Sequence, residues 1–280
     1  MARQWHCNCV KGQRFLTRIS DTLTTRRIVM RLIRTALFTA ALALAAPAMA
    51  DYWSFSTGDP DYRMAAASRP ESPGKIEIEA ADDFILDSAT RIDRASVIGL
   101  LPTYTPLSAL RSVKVEIYRV FPNDSDLKRQ IRVPTRTNSP ADVELDDRDS
   151  IEGTLDYQVT LLDPYSGAAN SVVNGIYASP DQTTGGEGPV QGQKVRIDIT
   201  FTTPFYLPPD HYFFIPQVEV DGEGDFLWLS APHPQFQGDL QMWIRNADLD
   251  PDWLRVGTDI VGGSPPPTFN GTFSLSGETY

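Results

Sequence analysis

The chain has 280 residues and a formal net charge of −11. Eight of its 25 Lys and Arg residues, but one of its 36 Asp and Glu residues, lie in residues 1–50, so residues 51–280 carry a charge of −18. Nucleic acids and anionic lipids are bound by clustered Lys and Arg, and such an acidic surface repels them. We therefore expect no nucleic-acid partner.

Residues 30–50 have the three parts of a secretory signal peptide. Two arginines are followed by an uncharged apolar run from Thr35 to Ala46, and Ala48-Met49-Ala50 matches the small-x-small cleavage rule. The apolar run is shorter than the roughly 20 residues that a membrane-spanning helix needs. The sequence therefore predicts cleavage after Ala50, a secreted protein in the extracellular or periplasmic space, and no membrane span after cleavage.

Residues 1–29 precede this complete signal. They are basic and without periodicity, and we interpret them as an extended N-terminus or as the result of a start codon assigned too early. Both cysteines, Cys7 and Cys9, lie in this segment. The exported chain, residues 51–280, is thus predicted to be one domain that a hydrophobic core stabilises without disulfides.

The best-patterned strand of the exported chain is predicted at residues 76–86, IEIEAADDFIL. Its isoleucines alternate with Glu77 and Glu79, which predicts a strand with one solvent-exposed face. Asp82 and Asp83 interrupt the pattern before it resumes. We interpret this interruption mainly as part of the architecture rather than as a site.

Short strands with Pro- and Gly-rich turns are predicted along the rest of the exported chain, and no helix of ten or more residues is predicted. The remaining strands are expected at residues 52–55, 91–101, 112–121, 154–162, 193–201, 211–220, 225–229, 239–245 and 268–275. This order favours an all-β fold, an antiparallel, jelly-roll-like β-sandwich with long polar loops.

Four segments together resemble a loose group of exported bacterial β-sandwich proteins: WSFSTG from Trp53, EAADDFIL from Glu79, VEIYRVFPNDSD from Val115 and FNGTFSLSG from Phe269. Members of that group share an "ADDF" strand, and many carry a C-terminal Pro-Glu-Pro sorting signal with a membrane anchor. The resemblance implies a fold and an exported protein, but no chemistry. This chain stops at Tyr280 without such a signal, which predicts release rather than anchoring.

The acidic loops are the first candidate site. PNDSD places side-chain oxygens at alternate positions, and the following loop is denser in carboxylates. Calcium takes about six to eight oxygen ligands, and these loops supply the predicted set Asp124, Asp126, Asp142, Glu144, Asp146 and Asp147. The alternative is solvated surface charge that nearby arginines partly neutralise.

Aromatic residues near the C-terminus are the second candidate site. Trp253 lies in the polar run NADLDPDWLRVG and is expected to be exposed. Trp243 and Asp252 complete a predicted ligand-binding set, in which rings stack on sugars and the carboxylate accepts hydroxyl groups. The alternative is core packing, which the strand patterns around Trp228 and Trp243 favour.

No catalytic residues are predicted. The exported chain has two separate histidines, no cysteine and no G-x-S-x-G motif, which disfavours nucleophilic and zinc chemistry. We expect a secreted, non-enzymatic module for extracellular interaction with a glycan or protein partner, with calcium as a candidate stabilising ion. A carbohydrate-binding module and a carboxylate-based glycan hydrolase or lyase are the alternatives.

Overall fold

The computed structural model describes residues 51–125, 137–177, 183–232 and 241–280. The predicted signal peptide and Asp126 therefore lie outside the described residues. Helical structure in the described ranges comprises the 3₁₀ turn Leu107–Ala109 and the π-helical turn Val256–Val261. None of the described helices has the length and apolar character needed to cross a membrane.

Fifteen strands form the described part of the fold. In chain order they are β1 Tyr52–Ser56, β2 Ala65–Ala67, β3 Ile78–Leu86, β4 Thr90–Leu101, β5 Leu110–Arg119, β6 Asp146–Asp149, β7 Asp156–Ala168, β8 Ser171–Val172, β9 Val190–Leu207, β10 Asp210–Val220, β11 Leu227–Ala231, β12 Trp243–Asn246, β13 Leu254–Arg255, β14 Asn270–Gly271 and β15 Phe273–Thr279. The expected all-β fold is confirmed.

The strands build two sheets. In the nine-stranded sheet, β1, β15, β4, β9 and β7 lie side by side, while β11, β2, β8 and β14 extend one end. The six-stranded sheet has the order β13-β12-β3-β10-β5-β6. Every strand pair is antiparallel except β2 with β8. This arrangement is the predicted antiparallel sandwich, and its jelly-roll connectivity stays a prediction.

Aromatic rings from both sheets meet in the core. Phe214 of β10 stacks on Phe273 of β15 with ring centroids 5.0 Å apart, and Trp228 of β11 meets the edge of that pair. The indole Nε1 of Trp228 donates to the Thr272 carbonyl at 2.8 Å, which satisfies its buried donor. The predicted core position of Trp228 is confirmed.

Strand β3 corrects two expectations. Asp82 and Asp83 do not interrupt it, because β3 runs continuously between β12 and β10 and hydrogen-bonds with both neighbours. The face that carries Glu79 is not solvent-exposed either, since that side chain is buried. The alternating pattern predicted the strand correctly. The face of β3 that was expected to be exposed to solvent is covered by a second layer of loops.

Gly277 is required for close pairing between β15 and β4. The strand register shifts at this position, and a Cβ atom there would overlap the Arg91 carbonyl oxygen. We predict that Gly277→Ala lowers the free energy of unfolding by about 2 to 3 kcal/mol, because backbone must move to relieve the overlap. Denaturant unfolding measures this loss.

The matched control is Ser276→Ala, one residue earlier in β15, where the side chain is half-exposed. Its effect on unfolding should stay within about 0.5 kcal/mol. Equal stability of the two variants would contradict the tight approach of β15 to β4.

Candidate functional site

The acidic side chains predicted to bind calcium are largely paired with basic neighbours. The pairs are Asp124 with Arg119 at 3.4 Å, Asp146 with Arg148 at 2.7 Å and Asp147 with Lys114 at 3.8 Å. Among the described residues, no group of three or more acidic, His or Cys side chains is arranged to hold a metal ion. The calcium site stays a prediction, since one of its ligands, Asp126, is not among the described residues.

Glu144 belongs instead to a charged network on the outer face of the six-stranded sheet, the face turned away from the core. The other members come from four strands: Glu79, Lys114, Glu116, Tyr118, Gln217 and Arg245. Arg245 Nη2 donates to Glu79 Oε1 and to the Tyr118 hydroxyl, both at 2.9 Å. Arg245 Nε donates to the second Glu79 oxygen, so the pair is bidentate.

Burial perturbs the carboxyl groups of this network. It raises the pKa of Glu79 to about 7, against the opposing charge of Arg245. Burial likewise raises the pKa of Glu144 to about 7, with Lys114 opposing and Asp147 adding to the rise. Perturbed carboxylates often mark active sites. Glu79 is 3 % exposed, however, so no substrate reaches it in this conformation, and we interpret the network as structural.

The predicted exposure of Trp253 is wrong, because its side chain is 0 % exposed. The Arg245 guanidinium lies 4.4 Å from its ring centroid, and its Nε1 donates to the Ala141 carbonyl at 3.1 Å. Trp243 and Asp252 are buried as well, so the predicted ligand-binding set cannot contact a glycan. The polar residues around Trp253 form a turn that lies over the six-stranded sheet. The indole ring points from this turn towards the sheet.

Asp82 and Asp83 point to opposite faces of β3, as neighbouring strand residues must. Asp82 points inward and accepts a hydrogen bond from Gly271 N at 2.8 Å, and its burial raises its pKa well above the ordinary range. Asp83 contacts the His211 ring and accepts from Gln241 N at 3.1 Å. Each aspartate therefore holds a neighbouring segment in place.

A groove of about 520 Å³ at one end of the nine-stranded sheet has the composition of a binding site. Small residues from the end of β7 and the start of β9 form its floor, and Tyr62, Thr103, Tyr165 and Gln191 stand around it. Gly192 lies in the floor, where a Cβ atom would overlap the Leu101 carbonyl oxygen. Close strand pairing thus requires a glycine there.

Two exposed tyrosines line this groove, and a third, Tyr104, packs against one of them. Tyr62, Tyr104 and Tyr165 are 40 %, 83 % and 68 % exposed. Tyr104 meets Tyr165 edge to face, with ring centroids 6.5 Å apart. Tyrosine rings supply rigid, amphipathic contact area at a low cost in conformational entropy, which is why they dominate many binding surfaces. We call Tyr62, Tyr104, Tyr165 and the floor between them the tyrosine groove.

Two of these tyrosines have a strained backbone. Tyr62 and Tyr104 have φ angles of 58° and 64°, the left-handed region that costs a bulky residue about 1 kcal/mol or more. The surrounding structure holds both conformations. Ala169 N donates to the Tyr62 carbonyl at 2.9 Å, and Gln193 Nε2 donates to carbonyls on both sides of Tyr104 at 3.0 and 2.7 Å. Such strain is concentrated at ligand sites in proteins.

Lys194 and Asp163 orient the groove's side chains. The Lys194 ammonium donates to the Tyr62 hydroxyl at 2.8 Å and lies 5.3 Å from the ring centroid. The ammonium has three donors, so two remain for ligand hydroxyl groups. Asp163 accepts a hydrogen bond from Tyr165 N at 2.9 Å and fixes the backbone that presents that ring.

Sequence reasoning missed this groove because its tyrosines come from three segments far apart in the chain. Each lies in a turn or at an irregular strand end, where no alternating pattern marks it. The available signal was a tyrosine next to turn-forming residues, as in GDPDYR and LPTYTP.

Comparisons with family models, curated proteins and solved structures found no match to this chain. The resemblance to exported bacterial β-sandwich proteins therefore stays a prediction. Function has to be inferred from the geometry of the groove.

The raised pKa of Glu144 predicts a pH dependence of stability. The group's pKa is about 7 in the folded state and 4.5 as its ordinary value, so protons bind more tightly to the folded chain. Its stabilising contribution is present below about pH 4.5 and is lost as the pH rises to about 7. We expect the wild type to lose more stability between pH 5 and pH 8 than Glu144→Gln does, in thermal unfolding.

The difference should be small, about 1 kcal/mol or less, because Glu144 is only partly buried and solvent screens it. Glu223→Gln is the control, since it removes the same formal charge at an exposed turn. A Glu144→Gln variant with the same pH dependence as the wild type would refute the predicted shift.

Proposed function

We propose that this protein is a secreted, non-enzymatic β-sandwich module that binds a glycan in the tyrosine groove. One observation carries the proposal: the exposed Tyr62 and Tyr165 come from separate segments and line one concave surface, where Tyr104 packs against Tyr165. Tyr62 and Tyr104 are held there in a strained conformation. The export of the module is proposed from the signal-peptide pattern of residues 30–50.

The composition of the groove matches the chemistry of sugars. A pyranose ring has an apolar face of C–H groups, which packs on an aromatic ring, and a rim of hydroxyl groups that need hydrogen-bonding partners. Tyr104 and Tyr165 offer aromatic surface, while Thr103, Gln191 and Lys194 offer hydroxyl, amide and ammonium groups. Ligand sites commonly combine aromatic walls with a few such polar groups.

Binding without cleavage fits the lining better than hydrolysis does. Glycosidases place two carboxyl groups on either side of the scissile bond. The described lining of the tyrosine groove consists of aromatic, hydroxyl, amide and small side chains. Glu79 and Glu116, which form a close carboxyl pair, lie instead in the buried network of the six-stranded sheet.

Affinity gel electrophoresis tests the proposal with a panel of soluble β-glucan, xylan, mannan and α-glucan. We expect at least one polysaccharide to retard the wild type. The double variant Tyr104→Ala/Tyr165→Ala should bind that polysaccharide roughly 30-fold more weakly, because each lost ring removes about 1 kcal/mol of contact.

Tyr177→Ala is the matched control, because Tyr177 is also exposed but lines a different cavity. It should bind like the wild type. Absence of retardation across the panel, or undiminished binding by the double variant, would overturn the proposal. The melting temperatures of all variants show whether they are folded.

A further inference from the structure

The outer face of the nine-stranded sheet carries a second group of exposed tyrosines, away from the tyrosine groove. Cross-strand partners place their side chains on the same face of a sheet. One row of partners runs across four adjacent strands, β1, β15, β4 and β9: Tyr52, Glu278, Arg91 and Tyr206. Tyr52 and Tyr206 are 75 % and 57 % exposed, so both rings are open to a partner.

Tyr280 adds a third ring to this group. Its ring meets that of Tyr206 edge to face, with centroids 5.8 Å apart, and its backbone N donates to the Ala89 carbonyl at 3.0 Å. The grouping of three rings on one surface is the same arrangement as in the tyrosine groove. We call Tyr52, Tyr206 and Tyr280 the second tyrosine cluster.

A shallow hollow lies between the two tyrosine sites along β4. It has a volume of about 290 Å³, and its lining includes Ser96 and Ile98 of β4 and Arg196 of β9. Lys194 lies two residues before Arg196 and therefore on the same face of β9. Because Lys194 also contacts Tyr62, the outer face continues from the hollow into the tyrosine groove.

The length of this surface excludes a short ligand. Lys194 and Tyr206 pair with Leu100 and Arg91, which lie nine residues apart on β4, and this corresponds to roughly 30 Å at about 3.3 Å per residue. A ligand in contact with both tyrosine sites must therefore be an extended polymer.

The charges along the face are paired with each other. Arg91 Nη2 lies 2.6 Å from Asp93 Oδ2, and Arg196 Nε lies 2.9 Å from Asp198. The Ser96 and Ser274 hydroxyls are 2.7 Å apart, so small polar groups fill the space between these pairs. The charges of these two ion pairs cancel, and the face between the tyrosine sites is suited to an uncharged polymer.

We infer that one extended, uncharged polysaccharide chain binds along this face, from the tyrosine groove to the second tyrosine cluster. The inference rests on the proposed function and adds the ligand class and a second contact region. Rings at both ends stack on sugar units, and the serine hydroxyls between them bond to the chain.

The test compares binding of a polysaccharide from the panel with binding of its own trisaccharide, by isothermal titration calorimetry. Tyr52→Ala/Tyr206→Ala should weaken binding of the polymer roughly tenfold and leave binding of the trisaccharide unchanged. Tyr104→Ala/Tyr165→Ala should weaken both, and Tyr177→Ala should weaken neither.

The possible results separate the two proposals. If the polymer binds and Tyr52→Ala/Tyr206→Ala does not weaken it, the second contact region is refuted while glycan binding in the groove stands. Tighter binding of a carboxylated polymer, polygalacturonate, than of any neutral polysaccharide would refute the uncharged class. If no polysaccharide binds, glycan binding itself fails and the extended site fails with it.

Discussion

The bidentate ion pair between Arg245 and Glu79 determines which sheet can face a ligand. Two charges that leave water must be paired and hydrogen-bonded, or their desolvation destabilises the fold. Here Tyr118 completes the pairing, and Trp253 covers the guanidinium with its ring. The outer face of the six-stranded sheet is therefore closed by a polar layer and by loops, and its carboxyl groups serve stability.

The nine-stranded sheet has the opposite character. Its outer face has serine hydroxyls and locally paired charges, with exposed tyrosines at both ends, and the described part of the chain places no second layer over it. Backbone strain at Tyr62 and Tyr104 is maintained there by hydrogen bonds from neighbouring segments. A rigid framework thus holds aromatic side chains exposed to solvent, which is the arrangement typical of a binding surface.

Prediction from sequence succeeded where structure depends on near neighbours in the chain. Strand patterns predicted β4, β5 and β10 to within two residues, and the strand pattern around Trp228 placed it in the core. Prediction failed where burial depends on distant segments. Glu79 lies on the strand face expected to be exposed and Trp253 lies in a polar run, yet both are buried because loops from elsewhere cover them.

By itself the sequence determined the all-β class, most of the strands and the acidity of residues 51–280, because side-chain alternation and composition are local properties. The tertiary structure decided which residues form a site. Tyr104 and Tyr165 meet because β4, β9 and β7 pair side by side, and the hydrogen bond from Ala169 N to the Tyr62 carbonyl holds the turn before β2 at the same end of the sheet. Long-range pairing sets that convergence, and no pattern within a single segment contains it.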